Sequence, residues 1–355
     1  MKKNYTNLIQ KVKERSNPEN LPIRRLLFES AGIPYTDVGQ YVKLAMAGVP
    51  LEYTNNSKAA AKKVMVHLEK LHDKNIEFRF QGSVETNTHI LNDNDIDLLQ
   101  ISLQSSTVDR ASLKTALDES WKYTNKEYKN LKEHSDNFTL YGGDQLSDLG
   151  KIRIKSEETL QSIYKDVDIS KPKAIAVEVK TPLRKVDVAT AVYYKAIPYM
   201  KSNSEHKKGI QIYNKETDSK LPVEFPFWSI KRINEKSILS NGRLKKMIRF
   251  LKNIKCDTSQ ITGKPKISSF DINAICYDID LKIYDSSNYL ELVMILYNQI
   301  SLLASDESYR NNLKSVDAQE YIFRSNPEKV SELYIFKSEI DAILSDIYSL
   351  KLIAV

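Results

Sequence analysis

The hydrophobic spacing of this chain changes period abruptly, and that change constrains the fold more than any other feature. In SKAAAKKVMVHLEKL, residues 57–71, Ala60, Val64, Leu68 and Leu71 recur at steps of four, four and three. That pattern makes one apolar helix face with lysines opposite, and Ser57 is the expected N-cap. A few residues later the period falls to two. Ile76, Phe78 and Phe80 alternate with Glu77, Arg79 and Gln81, and the run stops at Gly82-Ser83, as a half-buried strand does at a turn. After the polar loop VETNTHILND comes a second strand, NDIDLLQISL, with Asp95 and Asp97 on one face and Ile96 and Leu98 on the other. A sheet with a helix laid against it follows from residues 57–103.

Further along, an amphipathic helix is expected from about Arg110 to Glu133. The Gly/Asp/Ser-rich connection YGGDQLSDLG (141–150) leads to a short helix near 156–165. KAIAVEV (173–179) and KVDVATAV (185–192), joined through TPLR, read as strands, as does KGIQIYN (208–214). Beyond Trp228 the pattern is helical, near 241–255, 268–277, 288–304 and 327–350, with Ser268 and Asn326 as capping residues. The first fifty residues, broken by Pro18, Pro22, Pro34 and Pro50, suggest short helices in an irregular wrap. The fold class is therefore α+β. Residues 1–228 form a sheet-bearing part and 229–355 a helical part, and the cleft between them is the expected substrate site.

With 355 residues the chain is long enough for two such parts. Its two cysteines, Cys256 and Cys276, sit in no CxxC, and none of the five histidines lies at metal-ligand spacing, which argues against a disulfide framework or a zinc site. No apolar run reaches the ~18 residues that span a bilayer, and the opening residues turn polar before a signal core develops. A soluble, cytoplasmic protein without a membrane partner is expected. The net charge of +7 raises the question of a nucleic-acid partner but is thinly spread.

Chemistry concentrates in Gly82-Ser83, the eleven residues that follow, and Asp95-Ile96-Asp97. Carboxylates at i and i+2 of a strand point the same way, about 7 Å apart at the backbone. Placed side by side they repel, and hard divalent cations are the usual remedy. The Gly-Ser turn offers backbone N–H groups and a hydroxyl suited to phosphate. Asp187 alternates with Val186 and Val188 and so faces away from its own apolar side. If its strand neighbours that of Asp95, three aspartates converge as in a two-metal site for nucleotidyl transfer. Glu178 is the competing third ligand. His89, in the intervening loop, is expected to be exposed. Lys245, Lys246, Arg249, Lys252 and Lys255 give one helix a cationic side whose ordinary reading is solvation for most of them, and Lys245, Arg249 and Lys252, which share one face, are the candidates for a phosphate-facing row.

Gly-Ser, eleven residues, Asp-Ile-Asp and a later Val-Asp-Val strand together resemble the polymerase-beta-like nucleotidyltransferases. Within them the chain is similar to the bacterial relatives of cyclic GMP-AMP synthase and dinucleotide cyclase, the CD-NTase enzymes of anti-phage CBASS systems. The likeness runs from about Ala60 to the C-terminus through FQGSVETNT, NDNDIDLL, the KAIAVEV/KVDVATAV pair, FPFWSIKRINEKS, RLKKMIRFLKNIK and KISSFDINAICY. It implies a Mg2+-dependent enzyme, with Mn2+ a possible substitute, that makes a cyclic oligonucleotide second messenger from NTPs.

The same resemblance assigns roles. Two metal ions would sit on Asp95, Asp97 and Asp187, with Asp187 also the candidate general base. Gln81, Gly82 and Ser83 would hold the nucleotide's triphosphate, Lys252 would neutralise phosphate, and Ser269 and Phe270 would contact nucleotide. The product would activate a separate effector receptor, and no nucleic acid is required. Where the family's third strand often continues into Val-Pro-Ala, this chain has Ala189-Thr190-Ala191, a departure that spares the ligand position. Base choice, linkage and ring size stay open at this level. So do two alternatives: transfer of nucleotides to RNA, tRNA or protein, and a catalytically silent nucleotide-binding module.

Overall fold

The structure, a computed structural model, describes residues 3–14, 37–72, 75–90, 95–258 and 266–349. Its principal elements run α1 (Tyr5–Glu14), α2 (Asp37–Met46), α3 (Leu51–His72), β1 (Ile76–Gln81), α4 (Ser83–Thr86), β2 (Asp95–Val108), α5 (Arg110–Asp118), α6 (Asn125–Asp136) and α7 (Gln145–Ile163). There follow β3 (Val167–Asp168), β4 (Ile175–Lys180), β5 (Leu183–Lys195), β6 (Gly209–Asn214), β7 (Ser219–Lys220), α8 (Pro226–Leu239), α9 (Arg243–Asp257), α10 (Ser269–Asp278), α11 (Tyr289–Ser305) and α12 (Val330–Ser349). The fold is α+β, and its described residues divide into two compact units. One comprises Leu51–Glu85 and Asn94–Lys231; the other comprises Met1–Pro50, Thr86–Asp93 and Arg232–Val355.

The first unit is built on a mixed sheet in the order β1-β2-β5-β4-β3, with β6 pairing β5 and β7 pairing β6. β2 and β5 run parallel, while β1 and β4 flank them antiparallel. Period-2 alternation decides which side of each strand is apolar. Ile96, Leu98, Val177, Val186 and Val188 pack with Ala60, Ala61, Val64 and Leu68 of α3 and Leu160 of α7. The opposite face buries Leu99, Ile101, Ala189, Ala191 and Tyr193 with Phe227. On that second face the row is apolar toward the C-terminal part of β2 and β5 and acidic at their N-terminal part, where Asp97 and Asp187 continue the same alternation.

Several boundaries differ from the sequence expectation. α3 begins at Leu51, so Ser57 is no cap: it is buried in the helix, donating to Tyr53 O (3.1 Å) and accepting from Arg184 Nε (3.0 Å). The single helix expected over 110–133 is broken, because Thr124 and Glu127 form a capping box that starts α6 afresh. α7 begins eleven residues before the expected 156, since Asp144 caps Leu146 and Ser147. Gly150, the last residue of the expected connection, lies inside α7 where an added Cβ would come 3.1 Å from the Tyr213 hydroxyl. β5 continues straight through Ala189-Thr190-Ala191 to Lys195.

The second unit is helical. Leu244, Met247, Ile248, Phe250 and Leu251 of α9 share one core with residues of α10, α11 and α12. Tyr5, Ile9 and Val12 of α1 and Val38, Tyr41, Val42 and Met46 of α2 belong to that core too. The N-terminal helices therefore side with the C-terminal helices and not with the sheet, because their apolar faces match that of α9. Pro18, Pro22 and Pro34 lie outside the described residues. Asn326 precedes a short 3-10 turn without a side-chain capping bond. Among the described residues no helix is long and apolar enough to cross a membrane.

Candidate active site

Strand register brings the central residues together. Asp97 is the direct partner of Asp187 across the parallel β2/β5 ladder, and Gln81 is the direct partner of Asp97 across β1/β2. Parallel neighbours are about 4.8 Å apart in the backbone and point to the same side, so two carboxylates and the Gln81 amide line one patch. Asp95 is placed by its backbone, paired with Lys185 and two residues before Asp97; its side chain lies outside what is described. Among the described residues no group of three or more His, Cys, Asp or Glu side chains is placed to hold a metal, so the pair Asp97/Asp187 is the described part of the acidic set.

Gly82 is the position where the local sequence is least replaceable. Its φ of +77° is a left-handed conformation, and an added Cβ would overlap Asp97 Oδ2. Only glycine allows β1 to turn into α4 while the Asp97 carboxylate lies against the chain. Ser83 opens α4 half-buried beside it. The patch thus combines carboxylate oxygens with a tight turn, and an oxygen-only donor set suits a hard divalent cation. Glu178, the rival ligand, faces Lys185 across β4/β5 and pairs with Lys180 at 2.5 Å.

Sequence reasoning missed Lys171. Its Nζ lies 2.9 Å from Asp187 Oδ2 and 3.3 Å from Oδ1. The contact spans sixteen residues across a loop and a strand, and no periodic pattern announces it.

In the helical unit, Lys252 is 3% exposed and donates to Thr88 O (3.1 Å). Arg249, 6% exposed, donates to Met46 O (2.9 Å) and Asn87 O (2.7 Å), and burial pulls its pKa down to about 10. These two cations serve backbone carbonyls, not an open row. Lys245 is drawn below the ordinary lysine range by burial and by the charge of Arg249. His89, expected to be exposed, is buried at 1%, because residues 86–90 pack into this unit with Thr86 and Thr88 hydroxyls bonded at 2.8 Å. Ser268 and Asp271 form a capping box at α10. Ser269 is half-buried in the first turn, and Phe270 beside it is exposed, so Phe270 is not a core residue.

Comparison with known proteins decides the family. A c-di-GMP synthase from Flavobacteriaceae sp. genome_bin_11 is 48% identical over 363 residues, covering 99% of this chain and 100% of that protein. The chain belongs to the cGAS/DncV-like nucleotidyltransferases. The family description "cGAS/DncV-like nucleotidyltransferase C-terminal helical domain" matches residues 231–344, the stretch from within α8 through most of α12. A c-di-GMP synthase from Capnocytophaga granulosa is 41% identical, covering 98% of this chain and 99% of its own. A solved STING-associated CdnE c-di-GMP synthase from Flavobacteriaceae sp. superposes with a TM-score of 0.91 at 48% identity, covering 99% and 100% of the two chains. As a cGAS/DncV-like nucleotidyltransferase this CD-NTase is an enzyme of anti-phage signalling that makes a cyclic oligonucleotide messenger from NTPs. Enzymes of this kind need a divalent metal.

Proposed function

We propose that this CD-NTase converts two molecules of GTP to c-di-GMP and two of pyrophosphate, with two Mg2+ ions held by Asp95, Asp97 and Asp187. The observation that carries the reading is the register of Asp97 with Asp187 on one sheet face, with Gly82 left bare against the Asp97 carboxylate. The guanine choice rests on the c-di-GMP synthases that match almost the whole chain. In each of two transfers a ribose hydroxyl of one nucleotide attacks the α-phosphorus of the other, the new P–O bond forms, and pyrophosphate leaves. Bound at the carboxylates, the ions supply neutralisation of the triphosphate charge and a lowered pKa for the attacking hydroxyl. Asp187 accepts that hydroxyl's proton. Gln81, Gly82 and Ser83 orient the triphosphate, so that catalysis is mostly positioning and electrostatics.

Ser269 and the exposed Phe270 contact nucleotide, Phe270 by stacking on a base. Lys252 neutralises phosphate with the ammonium protons it does not give to Thr88 O, and its bond to that carbonyl holds residues 86–90, which follow Ser83 in the chain. The messenger acts on a separate effector protein in the cytoplasm, as the STING association of the Flavobacteriaceae relative suggests, and synthesis needs no nucleic acid. The test is incubation of the purified protein with each labelled NTP alone and with all four. GTP alone should give a phosphatase-resistant product that comigrates with c-di-GMP. Product only from mixed nucleotides would overturn the guanine assignment, and labelled macromolecule would overturn cyclisation.

A further inference from the structure

Lys171 lies in the loop between β3 and β4, and that loop is fastened on every side. Arg153, 0% exposed on α7, donates through Nη2 to Lys171 O (2.9 Å) and Ala174 O (3.0 Å), while its Nε bonds Glu157 (2.7 Å). Lys215 N donates to Pro172 O (3.0 Å), and the Lys215 ammonium holds the same Glu157 at 2.8 Å. At the other end of the loop, Ser170 N and Oγ both donate to Asp168 Oδ1 (2.9 and 2.6 Å). The backbone of Lys171 is therefore fixed where its side chain reaches both oxygens of Asp187.

An ordinary exposed ion pair contributes little. This one differs in its partner: Asp187 stands abreast of a second carboxylate, Asp97. Like charges directly opposite on a sheet are destabilising, and a cation beside one of them reduces that cost. We propose that Lys171 is the site's internal counter-ion, balancing Asp187 when no metal is bound and competing with the divalent cation for that carboxylate, so that it sets metal affinity. The proposal rests on Asp97 and Asp187 being metal ligands. Lys171 is on this account a positioning residue that acts through Asp187.

The test titrates Mn2+ alone, without nucleotide, into wild type, Lys171→Met, Lys171→Arg and Asp187→Asn, following the free-ion EPR signal. Thermal unfolding is recorded in EDTA and in saturating Mn2+. Lys171→Met should bind Mn2+ about threefold or more tighter, since a positive charge beside the ligand is gone. It should also melt below wild type in EDTA, with the gap closing in Mn2+ by linkage. Lys171→Arg should stay near wild type in both. Unchanged or weaker Mn2+ binding by Lys171→Met, with the same loss of melting temperature in EDTA and in Mn2+, would overturn the proposal and leave a purely structural bridge. Asp187→Asn separates the two layers: binding equal to wild type would refute the metal reading itself, whereas lost binding there with no change in Lys171→Met refutes only the counter-ion.

Discussion

Asp97 and Asp187 lie abreast on one sheet face, half-buried, with the partly exposed Lys171 paired to one of them. Arg249 and Lys252 of α9 are 6% and 3% exposed and donate to the carbonyls of Met46, Asn87 and Thr88. In the sheet unit like charges are brought together at a half-buried patch that solvent and ions can reach. In the helical unit each charge is closed by hydrogen bonds within its own core. An arrangement whose electrostatics are incomplete without a ligand points to chemistry, whereas one whose bonds are complete points to folding. The comparison can be broken by substitutions that exchange these consequences.

The largest effect is expected at Asp97→Asn, which keeps shape but removes charge. Conversion of labelled GTP should fall by about 10³-fold with the melting temperature unchanged or raised, because the repulsion with Asp187 is relieved. Gly82→Ala comes next. Its Cβ must displace the Asp97 carboxylate at a strained φ, costing about 1–3 kcal/mol and, through misplacement of the ligand, about 10²-fold in turnover. Arg249→Met should reverse that balance. Two carbonyls lose their donor, so unfolding in denaturant should show a loss of about 2 kcal/mol, while kcat of the molecules still folded stays within a few fold. Complete loss of kcat in a folded Arg249→Met protein would erase the contrast between the regions.

How much of this was readable without coordinates follows from the range of the interactions. The acidic face was legible because strand alternation is strictly local: Asp95 and Asp97 must share a side whatever the rest of the chain does, and Val186-Asp187-Val188 repeats the rule. Their mutual register was not local and came from a parallel pairing whose strands are about ninety residues apart. Lys171 was invisible for the same reason, as was the docking of α1 and α2 onto α9. The run 141–150 misled because its Gly, Asp and Ser residues read as a connection, whereas Asp144 caps α7 and Gly150 lies inside that helix against the Tyr213 hydroxyl. His89 misled because a loop that carries polar residues is ordinarily exposed, whereas residues 86–90 are drawn into a core by Arg249 and Lys252.

The smallest expected effect sharpens the boundary between the two kinds of region. Phe270, 37% exposed in the first turn of α10, contributes little to the core, so Phe270→Ala should shift stability by less than about 0.5 kcal/mol. If it stacks on a base, KM for GTP should rise roughly fivefold or more, in line with stacking energies of about 1–3 kcal/mol. An unchanged KM would return Phe270 to the solvent-facing surface.

The most direct test of the central claim is product analysis on Asp187→Asn beside wild type, with labelled GTP and Mg2+ and with the melting curve of each protein recorded. Asp187 joins the ladder to Asp97, takes the contact from Lys171 and is the assigned base, so the account predicts c-di-GMP from wild type and none from a variant that remains folded. A folded Asp187→Asn protein that forms c-di-GMP at the wild-type rate would contradict it.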